Sequence, residues 1–267
     1  MWVVWAVLLA LGLWWLTTIL LLWRLRQPVA TFRTTFLVVS MFAGLAVVGF
    51  VWSLGETTAI AAIVGFGSGL AFWCWHETAY LLGYLSGPRP AACPPGANQW
   101  QRFHFGVQAS LYHELAVIAT AVAMLALSTG ASNLVAVQTF VVLWIMRWST
   151  KINIFLGVRN LHVDFWPTHL RYLGTYASPS TTNRFFPISG VLAISLALWI
   201  VFGYGDQPAS DFRLTAMGLV MTLLALACLE HVFLMVKVPD HLLWQWGLAP
   251  AEPARVSARA ALVNSKD

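Results

Sequence analysis

The chain has 267 residues, of which 59% are hydrophobic and 9% are charged; soluble domains carry about 25% charged residues. So few charges cannot cover a water-facing surface, which excludes a soluble enzyme, a disordered linker and a disulfide-stapled secreted domain. Fifteen Lys and Arg against ten Asp and Glu give a net charge of +5, read here as basic loops against an anionic membrane leaflet rather than a nucleic-acid surface.

Lipid admits helices or closed barrels only, and long unbroken apolar runs favour helices over the alternating short segments of a barrel. At about 20 apolar residues per crossing, an all-α polytopic bundle of seven spans is predicted, at about 2–23, 34–54, 58–83, 103–128, 134–156, 187–204 and 213–238. The first run lacks a basic leader and is too long for a signal-peptide core, so it is read as a permanent helix. The third carries Gly65, Gly67 and Gly69, which permit close helix approach, and then His76-Glu77. A turn-rich loop with Pro94-Pro95-Gly96 leads to the fourth span and its His113-Glu114 pair. The fifth span holds Arg147 and Lys151. The long connection from Gly157 to Pro187 contains Val163–Leu170, predicted as a short interfacial helix, and a His162, Asp164, His169 group that reads as solvated loop rather than a second metal patch. The seventh span holds Glu230-His231, and Lys237 at its end is too shallow for a retinal Schiff base. Residues 1–246 form one transmembrane domain, and the Ala- and Pro-rich residues 247–267 are predicted to be a disordered cytoplasmic tail. Cys74 and Cys228 lie in apolar runs and Cys93 in a loop, without a CxxC.

Fourteen of the fifteen basic residues fall at or near one side of this arrangement; Arg213 is the exception. The positive-inside rule then puts the N-terminus in the periplasm and the C-terminus in the cytoplasm of a bacterial inner membrane, cytoplasmic or intracytoplasmic. Tryptophans 2, 5, 23, 148, 244 and 246 sit at the predicted interfaces, as an aromatic belt requires.

Five ionisable residues lie within spans: Glu77, Glu114, Arg147, Lys151 and Glu230. From the cytoplasmic end, Glu77 is about 9 Å deep, His113 and Glu114 about 15 Å, Arg147 about 14 Å and Glu230 about 12 Å. Left facing lipid, five such charges cost roughly 12–17 kcal/mol, so they must converge in the bundle interior. Three readings follow. In an ion-pair network, the carboxylates pair with Arg147 and Lys151, which share a helix face at i, i+4. In a metal site, Glu77, His113, Glu114, Glu230 and His231 hold iron or another divalent metal, the ligand types of di-iron bundles, although the Glu-x-x-His spacing is missing. In the third reading, His113 or His231 is an axial ligand to a haem or bacteriochlorophyll. No Walker motif, nucleophile elbow, HExxH or dinucleotide fingerprint is present.

Four stretches carry a resemblance: His76–Gly83 running on to Gly87-Pro88-Arg89; Leu111–Leu115; Lys151–Val158 with Pro167–Leu173; and Leu229–Phe233 followed by Asp240–Trp246. Through these the chain resembles the photosynthetic complex assembly protein 2 family (PuhE) of purple phototrophic bacteria, from the third span to the end of the seventh. The resemblance implies an inner-membrane factor encoded beside the reaction-centre H subunit. Such a factor is associated with assembly of the reaction centre and light-harvesting complexes and with the level of bacteriochlorophyll synthesis. Its implied partners are the lipid bilayer and photosynthetic core-complex or bacteriochlorophyll-synthesis proteins. It supplies no catalytic residues. The rival reading is a membrane metalloenzyme with a di-iron-like site acting on a tetrapyrrole or carotenoid.

Overall fold

Polar caps decide where the apolar runs become helices in the computed structural model, which describes residues 1–161, 163, 166, 168–178, 180, 183–204 and 210–236. Seven long helices appear: α1 Trp2–Leu25, α2 Phe32–Ser53, α3 Ala59–Leu81, α4 Gln99–Leu127, α5 Val135–Leu156, α6 Phe186–Gly203 and α7 Asp211–Met235. The Thr58 hydroxyl accepts from Ala61 N at 3.1 Å and starts α3, and Ser210 does the same for α7 through Arg213 N. Asn98 and Gln101 cap each other reciprocally, so α4 begins four residues ahead of the expected 103. A proline in its first turn opens α6.

The short interfacial helix expected over 163–170 is described only in part. The structure has a 3-10 segment at Thr168–Tyr176, and residues 162, 164, 165 and 167 are outside the described set, as are the end of the seventh span beyond 236 and the 247–267 tail.

Among the described residues, six helices are long and apolar enough to cross a membrane: α1, α2 with its leading 3-10 turn, α3, α4, α6 and α7. Among the described residues there is no strand. The helix outside that set of six, α5, carries Gln138, Arg147, Ser149, Lys151 and Asn153, and its neighbours are α3, α4, α6 and α7. Its polar groups are turned onto those neighbours. Gln138 accepts from the Tyr204 hydroxyl at 2.8 Å, and Asn153 is 0% exposed.

The core lies where α3, α5 and α7 meet, with α1 against α7 and α2 against α3. Small residues set these distances. A Cβ on Gly69 would stand 2.5 Å from the Ala136 carbonyl oxygen of α5, and one on Gly218 2.9 Å from Ala6 of α1. The link after α3 turns back at Gly83 (φ +82°) and presses Gly87 onto α4, where a Cβ would lie 2.0 Å from Gln108 O. From there Ser86 O accepts from His113 N at 3.0 Å. His169 Nε2 is 2.9 Å from Leu81 O at the end of α3, so this histidine closes a helix terminus.

Candidate functional site

Arg147 and Lys151 stand one turn apart on the same face of α5, and each takes one acid. Arg147 Nη2 donates to Glu77 Oε2 of α3 at 2.9 Å. Lys151 Nζ donates to Glu114 Oε1 of α4, and the ammonium also lies 5.2 Å from the centre of the Tyr80 ring. His113, 1% exposed, packs its ring on Tyr80 with centroids 4.7 Å apart. Its Nε2 is 3.9 Å from Glu77 Oε1, beyond direct hydrogen bonding. Glu77 Oε1 and His113 Nδ1 are buried without a hydrogen-bond partner among the described residues. His76, adjacent to Glu77, points to α4 and meets Thr120 Oγ1 at 2.9 Å.

The α7 pair separates, as the roughly 100° between successive helix positions requires. His231 Nδ1 lies 2.8 Å from Ala227 O and Nε2 2.9 Å from Ser149 Oγ. Ser149 bonds Ser189 of α6 at 2.8 Å, and Asn153 Nδ2 donates to Ser189 Oγ at 2.8 Å. Since a backbone carbonyl only accepts, Nδ1 carries the proton; Nε2 faces the Ser149 hydroxyl, whose single proton is shared with Ser189 Oγ. Both ring nitrogens are thereby occupied. Sequence reading missed this chain. Its signal is Ser149 and Asn153 at i, i+4 on the face opposite the charges, but neither is ionisable and neither raised a depth cost.

Glu230 turns the other way, toward α1, where the Trp14 indole donates to it. The structure thus brings Glu77, His113 and Arg147 together, sets Glu114 with Lys151 beside them, and holds His231 in a separate polar chain. Among the described residues, no three His, Cys, Asp or Glu form a group able to hold a metal ion.

Two cavities flank this layer. The larger, about 860 Å³, lies between α1, α3, α5 and α7; its wall includes Trp14, Trp73, Leu226 and Glu230. The smaller, about 250 Å³, lies between α4, α5 and the 3-10 segment and exposes Glu114 and Lys151. Arg147 lines both, which accounts for the 37% exposure of its side chain.

Helices long and apolar enough to cross a membrane, closed around a buried layer of paired charges, define a polytopic helical membrane protein. The chain belongs to the family described as "Protein of unknown function (DUF3623)", whose model matches residues 1–255. It is 32% identical over 252 residues to a Rhodobacter capsulatus protein named "Uncharacterized 30.4 kDa protein in puhA 5'region", an alignment covering 92% of this chain and 91% of that one. No solved structure matches.

Proposed function

We propose that the chain is a seven-span inner-membrane factor serving assembly of the photosynthetic reaction-centre and light-harvesting apparatus or the supply of bacteriochlorophyll to it. Its N-terminus is periplasmic and its C-terminus cytoplasmic. The observation that carries this reading is the position for which the Rhodobacter capsulatus relative is named, the puhA 5' region. The sequence resemblance points the same way, to a family encoded beside the reaction-centre H subunit. The geometry supports a scaffold role over metal chemistry, because Glu77 and Glu114 are each engaged by a cation of α5 and such pairs tie α3 and α4 to α5 at fixed register. Partners of this factor are core-complex or pigment-synthesis proteins within the bilayer.

The test is a deletion strain grown phototrophically and complemented with the intact gene. Reduced bacteriochlorophyll and reduced core complex, both restored by complementation, are expected. Normal pigment together with normal core complex in the deletion strain overturns the proposal.

A further inference from the structure

Three acids meet two bases in the charged layer, and the geometry gives each base to one acid, Arg147 to Glu77 and Lys151 to Glu114. Glu230 is left over. Among the described residues its bonded partner is the neutral indole of Trp14; Arg147 lies within electrostatic range but commits its Nη2 to Glu77. Glu230 is exposed and is one of the residues lining the 860 Å³ cavity. Among the described residues the Glu230 carboxylate therefore has no cation of its own, in a cavity whose wall joins Trp15, Trp73, Leu223, Leu226 and Phe233 to the Arg147–Glu77 pair. A large apolar pocket with a few convergent polar groups is the usual form of a binding site, and an uncompensated carboxylate at membrane depth is costly until a cation meets it.

We propose that this cavity binds a lipid with a primary ammonium headgroup, the ammonium donating to Glu230 and the acyl chains lying along the tryptophan and leucine wall. Glu230 is five residues from the end of α7 at Met235, about 7.5 Å along the axis, which sets the headgroup close to one surface of the bundle. A carboxylate favours an N–H cation through a charge-assisted hydrogen bond, repels an anionic headgroup, and offers a quaternary ammonium charge without a hydrogen bond. Trp14 turns its N–H edge to Glu230 rather than a ring face to the cation, so it does not cage a quaternary ammonium there. The inference goes beyond the photosynthetic role and stands or falls separately from it.

The test uses the full chain and an equimolar vesicle mixture of phosphatidylethanolamine, its N-methyl and N,N-dimethyl derivatives, phosphatidylcholine and phosphatidylglycerol with identical acyl chains. Lipid retained after mild detergent extraction is counted by native mass spectrometry. Expected is about fivefold enrichment of the ethanolamine lipid over choline and glycerol lipids, declining with each added methyl. Glu230→Gln is expected to bring the ratio to about one. Gly12→Trp is expected to remove the retained lipid, because Gly12 lines the cavity and a Cβ there meets nothing within 4 Å. Equal retention of all five means annular lipid only and overturns the proposal, as does choline or glycerol enrichment. The methylation series on the unaltered chain decides the matter even where a variant fails to fold.

Discussion

Arg147 of α5 donates to Glu77 of α3 at 2.9 Å, and Arg147 lines both cavities that flank the charged layer. Removing either partner strands the other. A stranded buried charge costs about 3–5 kcal/mol, lowered here because 37% of the Arg147 side chain is accessible. Glu77→Gln and Arg147→Met are each expected to destabilise by about 2–3 kcal/mol. Their combination should recover more than half of the summed loss, the mark of a coupled pair. Thermal unfolding in detergent reads all four states. Additive losses would show that the two residues act apart.

The helix 3 glycines divide by what they touch. Gly69 faces α5, and an added methyl would sit 2.5 Å from the Ala136 carbonyl oxygen, whereas Gly67 meets nothing within 4 Å. Gly69→Ala is expected to lower stability by about 1–3 kcal/mol through overpacking. Gly67→Ala should leave it unchanged or raise it by about 0.5–1 kcal/mol through helix propensity. Melting temperatures of the two variants side by side check this, and equal effects would count against the close α3–α5 seam.

Those two glycines also mark how far sequence reading reached. Among the described residues apolar runs located the helices within a few residues, because backbone buried in lipid leaves one solution. Which glycine meets a neighbour depends on helix rotation and on which helices are adjacent, and neither is periodic in the sequence. The same holds for the charged layer. Shared depth put Glu77, His113, Glu114, Glu230 and His231 at one level, but not which base takes which acid. Nor did it reveal that His231 would be held by the uncharged Ser149. The early start of α4 was legible in Asn98 and Gln101. Hydropathy passed over it, since the capping turn is polar by necessity.

His231 has both ring nitrogens engaged, which fits a packing role better than ligation. Ser149→Ala removes the hydroxyl that satisfies Nε2 and is expected to cost about 1–3 kcal/mol with no change in bound metal or pigment. Elemental analysis of the purified protein should find iron well below one atom per chain, because Glu77 and Glu114 already serve Arg147 and Lys151. Stoichiometric iron lost on Glu77→Gln would return the metal reading to favour.

The number of crossings turns on α5. Among the described residues six helices meet the apolar requirement without it, and an even count would leave both termini on one side. Its two ends, however, coincide with those of its neighbours. Just before its start, Ser132 N and Asn133 N donate to Leu54 O at 3.1 and 3.2 Å, beside the α2–α3 turn. Just past its end, Arg159 N and Asn160 N donate to Leu234 O of α7 at 3.0 and 3.1 Å. Its 22 residues span about 33 Å, matching a hydrocarbon core of about 30 Å. Its polar side chains are turned to α3, α4, α6 and α7, so low hydropathy does not put charge against lipid. Seven crossings are therefore expected, with the α4–α5 turn and the C-terminus on opposite sides. Reporter fusions at Ala131 and after Asp267 check it: phosphatase activity is expected only at Ala131 and cytoplasmic fluorescence only at the C-terminus. Same-side signals would mean that α5 does not cross.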